Sequence, residues 1–232
     1  LGAAGHHREG DEVVAGEDVD AVAAQGEDLG CLLQGLERHR DAIESFGKAL
    51  ALKPQYFEAT VNRGACFLAL EEARDALDCF DQALKIRPRE AGLWNNRGNA
   101  LRVLKRQDEA LASFDNALAL KPDFADAWRN RGNVLFDAKR LHQALDSYDR
   151  ALSLRPDFAE ALIARGHVLL ALGRVPAALI HYERALLLAP ESAEALYQRG
   201  SALFQLKRFE AAAASFARLL ELSPDHDYAA GG

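Results

Sequence analysis

The sequence predicts an all-α fold, a solenoid of six 34-residue helix-turn-helix repeats, and three recurrences predict it. Prolines fall at Pro54, Pro88, Pro122, Pro156, Pro190 and Pro224, each 34 residues after the last, with Pro176 alone off the register. Small residues keep the same interval, glycine at Gly30, Gly64, Gly98, Gly132, Gly166 and Gly200 and alanine at Ala42, Ala76, Ala110, Ala144, Ala178 and Ala212. An aromatic follows each alanine, as Phe46, Phe80, Phe114, Tyr148, Tyr182 and Phe216. A fixed period of this length marks stacked repeats, each burying its apolar face on its neighbours.

Counting back from the prolines gives repeats at 23–56, 57–90, 91–124, 125–158, 159–192 and 193–226. Each carries two helical patterns. In repeat three, Leu93, Trp94, Leu101 and Leu104 share one side of a first helix. Ala110, Leu111, Phe114, Ala117 and Leu118 make the apolar stripe of a second. Lys105, Arg106 and Gln107 join them, Asp108 is the expected cap of the second helix, and Lys121-Pro122 closes it, because the residue before a proline is pushed out of helical geometry. Glycine at the eighth position of a repeat and alanine at the twentieth let the two helices approach, and the aromatic at the twenty-fourth fills the space beside them. Residues 1–22 are glycine-rich and acidic with no helical period, which predicts a disordered leader, and 227–232 form a short tail.

This pattern of Trp, Gly, Ala, aromatic, Ala and Pro over 34 residues resembles the tetratricopeptide repeat (TPR) across residues 23–226. The resemblance implies a right-handed superhelix whose first helices line a concave groove. The match weakens at the ends, where Gly26 replaces the usual Trp and glycines interrupt the first helix, and where Leu219 replaces a recurring alanine.

Half the residues are apolar (49%) and 27% are charged, the composition of a soluble globular chain. The net charge is −7, but residues 1–22 hold six acids against Arg8, so the repeats themselves are near neutral. A general nucleic-acid binder needs a basic face, so none is expected. No apolar run is long enough to span a bilayer and no secretion leader is visible, so the default location is cytoplasmic. Cys31, Cys66 and Cys79 sit at unrelated repeat positions without a C-x-x-C pair, which fits a reducing compartment. The chain starts at Leu1, contains no methionine, and ends soon after an apolar final helix. These features predict a piece of a longer protein, with self-association through the uncapped C-terminal end as one further expectation.

At 100° per residue, positions two, five, six, nine, twelve and thirteen of a repeat face the groove. Position six carries Asn62, Asn96 and Asn130, and position nine carries Asn99 and Asn133. The segments WNNRGN (Trp94 to Asn99) and WRNRGN (Trp128 to Asn133) are two copies of this pattern. An amide offers both a donor and an acceptor, which matches an extended peptide backbone, and each such bond contributes about 0.5–1.5 kcal/mol. Solvation, or bonding between repeats, would satisfy the same amides. Arg102, Arg129 and Asp137 make the centre of the groove polar, whereas Ile163, Leu170, Tyr197 and Phe204 make its far end apolar. The candidate peptide-binding residues are therefore Asn62, Asn96, Asn99, Asn130, Asn133, Arg102, Arg129, Tyr197 and Phe204.

The asparagines at position six resemble those in the repeat domain of protein O-linked N-acetylglucosamine transferase and its bacterial Spindly-type relatives. That likeness implies backbone contacts from Asn62, Asn96 and Asn130, and departs at Asp28, Ala164 and Gln198. Repeats that clamp a C-terminal carboxylate are matched only by Arg129 and Asn133, and Glu160 and Ala164 break that pattern.

Arginine recurs at position seven, as Arg63, Arg97, Arg131, Arg165 and Arg199, where a guanidinium at the edge of a core needs a partner. Acids recur at position 25, as Asp81, Asp115, Asp149 and Glu183, so a salt-bridge ladder between repeats and recognition of an anionic ligand are both open. No phosphate loop, zinc motif or nucleophile elbow occurs, and no cofactor, metal or catalytic residue is expected. His6-His7 is a weak metal motif, and His167 at position nine is the one groove histidine. Two functions remain: a scaffold for a protein or extended peptide, and the substrate-recruiting arm of a glycosyltransferase whose catalytic domain lies beyond Gly232.

Overall fold

The computed structural model describes residues 18–222, and within them it contains twelve α-helices and no strand. In chain order these are α1 (Val19–Gly35), α2 (His39–Leu52), α3 (Phe57–Ala69), α4 (Ala73–Ile86), α5 (Ala91–Val103) and α6 (Gln107–Leu120). They continue as α7 (Ala125–Asp137), α8 (Leu141–Leu154), α9 (Ala159–Ala171), α10 (Val175–Leu188), α11 (Ala193–Gln205) and α12 (Phe209–Leu222). Odd-numbered helices are the first of each repeat and even-numbered helices the second.

The chain divides into two compact bodies, Leu1–Ile86 and Arg87–Gly232. In the first, α1 packs on α2, α2 on α3 and α3 on α4, and α1 also meets α3. In the second, α5 to α12 pack in sequence, and α5, α7, α9 and α11 are successive neighbours. First helices therefore share one face within each body.

The 34-residue clock has a steric origin. A Cβ added at Gly98 would stand 2.7 Å from the ring of Phe114, and one at Gly132 would stand 2.6 Å from the ring of Tyr148. The aromatic at position 24 thus lies flat against bare backbone at position eight. The alanines at position twenty are buried in every hairpin, where a larger side chain would force the helices apart. Five helices end two residues before a proline, at Leu52, Ile86, Leu120, Leu154 and Leu188. The residue between is extended, with φ of −138° at Lys121 and −135° at Arg155, as a following proline demands. Pro176, the proline off the register, lies in the first turn of α10, where its missing N–H leaves no bond unmade.

The turn inside each hairpin is a Schellman closure. In repeat three the Lys105 N–H donates to Arg102 O at 3.0 Å and the Arg106 N–H to Leu101 O at 2.9 Å. This requires a left-handed residue at position fifteen, and Glu37, Glu71, Lys105, Lys139, Gly173 and Lys207 all adopt φ between 58° and 73°. Only one of them is glycine.

The structure amends several local expectations. The N-cap of α6 is Arg106, which makes no side-chain cap and whose guanidinium pairs with Glu109 at 2.7 Å. Asp108 lies inside the first turn, where its carboxylate faces the positive helix end without capping it. Helix α1 runs unbroken through Gly26 and Gly30 and begins at Val19, four residues before the boundary drawn from the prolines, because Asp18 accepts from the Asp20 N–H at 3.1 Å and starts it earlier. The leader through residue 17, including His6-His7, and the segment from Ser223 onward with the tail lie outside the described residues.

Candidate functional site

The face shared by the first helices is built from amides and guanidinia, and the structure shows how each is held. Asn130 on α7 is 6% exposed, and its Nδ2 donates to Oδ1 of Asn95 on α5 at 2.9 Å. Asn95, 8% exposed, in turn donates to Asn96 Oδ1 at 3.5 Å. In the other body Asn62 on α3 donates to Glu27 Oε1 on α1 at 3.2 Å and lies 3.3 Å from Cys31 Sγ. Both inter-repeat bonds run from position six of one repeat to position five of the repeat before it, 35 residues back. The asparagine row therefore joins neighbouring first helices, and each amide retains part of its bonding capacity for another group. Asn95 was not among the candidates, since an asparagine at position five occurs once and carries no periodic signal.

Position nine behaves differently. Asn133 accepts from the Tyr148 hydroxyl at 2.8 Å, and Asn99 is half-buried. Arg102 reaches Asp137 at 3.8 Å across the α5–α7 boundary. Arg129, one turn before Asn133, lies 5.4 Å from the Phe158 ring, and its buried Nε has no hydrogen-bond acceptor among the described residues. Arg102, Arg129 and Asp137 all act electrostatically on the Tyr148 hydroxyl, while burial is the main reason its pKa is raised. These side chains thus form one polar cluster at the centre of the face.

In the next repeat Tyr182 replaces Tyr148 and His167 replaces Asn133. Their rings lie 5.9 Å apart, and neither the Tyr182 hydroxyl nor His167 Nε2 has a hydrogen-bond partner among the described residues. Burial lowers the His167 pKa, against the pull of Glu194 at 3.7 Å, and so favours a neutral ring.

The apolar end is smaller than the sequence suggests. Ile163 belongs to the core packed around Tyr182 and Ala195, so it does not reach the surface. Phe204 does, at 60% exposure, with its ring edge-on to Phe209 at 5.5 Å. Tyr197 is half-buried against Phe216, with centroids 6.1 Å apart.

The arginines at position seven form a second ladder. Arg131 Nε meets Asp115 at 2.7 Å, Arg165 Nε meets Asp149 at 2.6 Å, and Arg199 Nε meets Glu183 at 3.7 Å. Each rung joins the second helix of one repeat to the first helix of the next. A second contact holds the guanidinium within its own hairpin, from Arg97 to Ser113 at 2.7 Å, Arg131 to Ser147 at 2.9 Å and Arg199 to Ser215 at 2.8 Å. In repeat five the partner is His181, whose Nε2 takes the place of the hydroxyl. Burial, and then the charge of Arg165, hold the His181 pKa down at about 4, so its ring is a neutral acceptor at pH 7.

Among the described residues no group of histidines, cysteines and acids could hold a metal, and no helix is long and apolar enough to cross a membrane. The three cysteines are unpaired.

A helical hairpin repeated every 34 residues, closed at glycine by an aromatic and ended by proline, defines a class of helical-repeat proteins, and sequence models place the chain within it. It belongs to the tetratricopeptide repeat family: models described as tetratricopeptide repeat match residues 27–91, 163–227 and 125–158, and one described as TPR repeat matches 98–138. A search of curated proteins finds no match to the sequence. Among solved structures, the chain is similar to PilW, described as a widely conserved type IV pilus biogenesis factor, with a TM-score of 0.81 at 24% identity over 90% of this chain and 97% of that one. It is similar to PilF of Pseudomonas aeruginosa, with a TM-score of 0.75 at 21% identity over 92% and 97% of the two chains. It is also similar to YrrB, described as a TPR protein with an unusual peptide-binding site, with a TM-score of 0.58 at 25% identity over 81% and 97%.

Proposed function

We propose that this chain is a protein-interaction scaffold that binds an extended segment of a partner along the face formed by α5, α7, α9 and α11. The observation that carries the reading is Arg129, a half-buried guanidinium whose Nε has no acceptor among the described residues. A buried donor left unmade costs about 1–3 kcal/mol, and a partner's carbonyl or carboxylate would remove that penalty on binding. Asn133, Arg102 and Asp137, which like Arg129 act on or bond to the Tyr148 hydroxyl, and the half-buried Asn99 on the same face supply groups suited to a peptide backbone, and Phe204 offers an exposed aromatic anchor. The amides of Asn96 and Asn130 take part with the capacity that their contacts to Asn95 leave free, and in the other body the Asn62 amide keeps capacity for a peptide beyond its contact to Glu27. The peptide site named for YrrB is in keeping with this class of ligand.

The narrower reading, a recruiting arm for a glycosyltransferase, rests chiefly on the resemblance of the position-six asparagines. It draws no support from the neighbours in structure, and the scaffold reading is preferred. A cytoplasmic setting belongs to the same proposal and is supported by three unpaired cysteines.

The test is selection of random peptides displayed on phage against the full chain, followed by titration of the best binders into Arg129→Ala, Asn133→Ala and Phe204→Ala. Loss of affinity by tenfold or so at Arg129 supports the reading, since that corresponds to about 1.4 kcal/mol. Binders whose affinity ignores all three substitutions would remove it.

A further inference from the structure

Arg131, Arg165 and Arg199 each have two anchors, and at Arg63 the residues at both anchor positions are replaced. Counting 16 residues back from Arg131, Arg165 and Arg199 gives Asp115, Asp149 and Glu183; counting 16 back from Arg63 gives Gly47. Counting 16 forward gives Ser147, His181 and Ser215 in the complete rungs, and Cys79 here. The Nε edge, which in each complete rung faces the acid, is at Arg63 buried and has no acceptor among the described residues.

The space for an acid is still present. A Cβ placed on Gly47 would meet nothing within 4 Å, so the side chain missing at that position leaves an open notch on α2 facing the register of Arg63. Phe67, buried one turn along α3, lies 5.3 Å from the guanidinium carbon and limits its freedom to swing away. Cys79 supplies no counter-charge, because burial raises its thiol pKa to about 11 and keeps it neutral at pH 7. Lys48, beside Gly47, is exposed and pairs with Glu44 at 2.8 Å, so this pair adds no net charge near the notch and Arg63 is the cation that attracts the ligand. An always-charged guanidinium with a partly buried donor edge is costly to leave unpaired, and it is the side chain best suited to a carboxylate.

We infer that the notch between Gly47 and Arg63 is a docking site for a carboxylate from outside the fold, an aspartate or glutamate side chain of a partner protein. The incoming group takes the place that Asp115, Asp149 and Glu183 occupy in the complete rungs, beside the Arg63 guanidinium, whose Nε must turn out from its buried position to meet it. A carboxylate on one methylene or two has the size of the side chain that Gly47 lacks, whereas a phosphate carries a bulkier tetrahedral head. The site lies in the body Leu1–Ile86, whereas Arg129 belongs to the other body, and it does not depend on the peptide-binding reading.

The test follows the arginine Nε–Hε signals of the ¹⁵N-labelled full chain by NMR, with Arg63 assigned by loss of its signal in Arg63→Lys. The probes are N-acetylglutamate amide, its glutamine counterpart and inorganic phosphate, each titrated at constant ionic strength. The proposal expects a saturable shift of the Arg63 signal with the glutamate probe, toward the position of Arg131, and no such shift with the glutamine probe. Gly47→Asp should place the Arg63 signal there without any probe, and Gly47→Ala should fold normally and weaken the response several-fold. Three outcomes overturn it: no saturable shift with the glutamate probe, an Arg63 signal already bonded in the free chain, or a response to phosphate as strong as to the carboxylate.

Discussion

Asn130 Nδ2 donates to Asn95 Oδ1 at 2.9 Å across the boundary between two repeats, and both side chains are more than nine-tenths buried. Such a pair punishes the loss of one member more than the loss of both. Asn130→Leu is expected to destabilise the chain by about 1–3 kcal/mol, since Asn95 loses its donor in a buried site. The double variant Asn95→Leu/Asn130→Leu should recover a large part of that loss. Urea unfolding of the two single variants and the double gives the coupling directly, and additive losses would show that the bond does not join the repeats.

The arginine ladder should act on stability and leave peptide binding alone. Arg131→Leu removes the bond to Ser147, the contact to Asp115 and the stacking 5.9 Å from Trp128. The expected loss is about 1–2 kcal/mol, mostly from the part-buried bond to Ser147. Asp115 is 57% exposed and solvated, so Asp115→Asn should lose less than about 1 kcal/mol. Unchanged melting of Arg131→Leu together with lost peptide affinity would contradict the structural role.

His181 makes one rung sensitive to acid. Its folded pKa of about 4 lies below the ordinary 6.5, so between those values the unfolded chain binds the proton and the folded chain does not. The stability tied to the neutral ring is complete above pH 6.5 and is lost as the pH falls toward 4. His181→Ser restores the hydroxyl used at Ser147 and Ser215. Melting temperatures measured across that window should fall less steeply for the variant than for the parent, and parallel curves would exclude His181 as the source.

Two glycines predict opposite outcomes for the same substitution. Gly132→Ala drives a Cβ to 2.6 Å from the Tyr148 ring, and overpacking of this kind is expected to destabilise by about 1–3 kcal/mol. Gly92→Ala meets nothing within 4 Å, and in the first turn of α5 should be neutral or stabilise by up to about 1 kcal/mol. Thermal unfolding of both separates steric fit from helix propensity.

The hairpin turns hold a reserve of stability. Lys139 sits at φ 60°, a conformation that disfavours a side chain by about 1–2 kcal/mol, whereas Gly173 occupies the same position without that penalty. Lys139→Gly should therefore raise stability by up to about 1 kcal/mol, less the entropy that glycine adds to the unfolded chain. A lower midpoint in urea would show that the entropy term wins.

The sequence by itself determined the repeat length, the pairing of two helices per repeat and the family, because Gly132 against Tyr148 is a steric requirement that recurs wherever the hairpin recurs. It also placed arginines and acids at matching positions, since a charge at the edge of a core must be answered once per repeat. The left-handed residues at Glu37, Glu71, Lys105, Lys139 and Lys207 were hidden, because the Schellman bonds of the backbone impose that geometry on side chains that do not advertise it. Tertiary structure alone decided that Asn130 is turned onto Asn95, that Ile163 is buried while Phe204 is not, and that Arg63 Nε is buried with no acceptor among the described residues. Those facts depend on which side chains meet when the helices pack, and the 35-residue bond from Asn130 to Asn95 has no recurring pattern behind it, since asparagine stands at position five once.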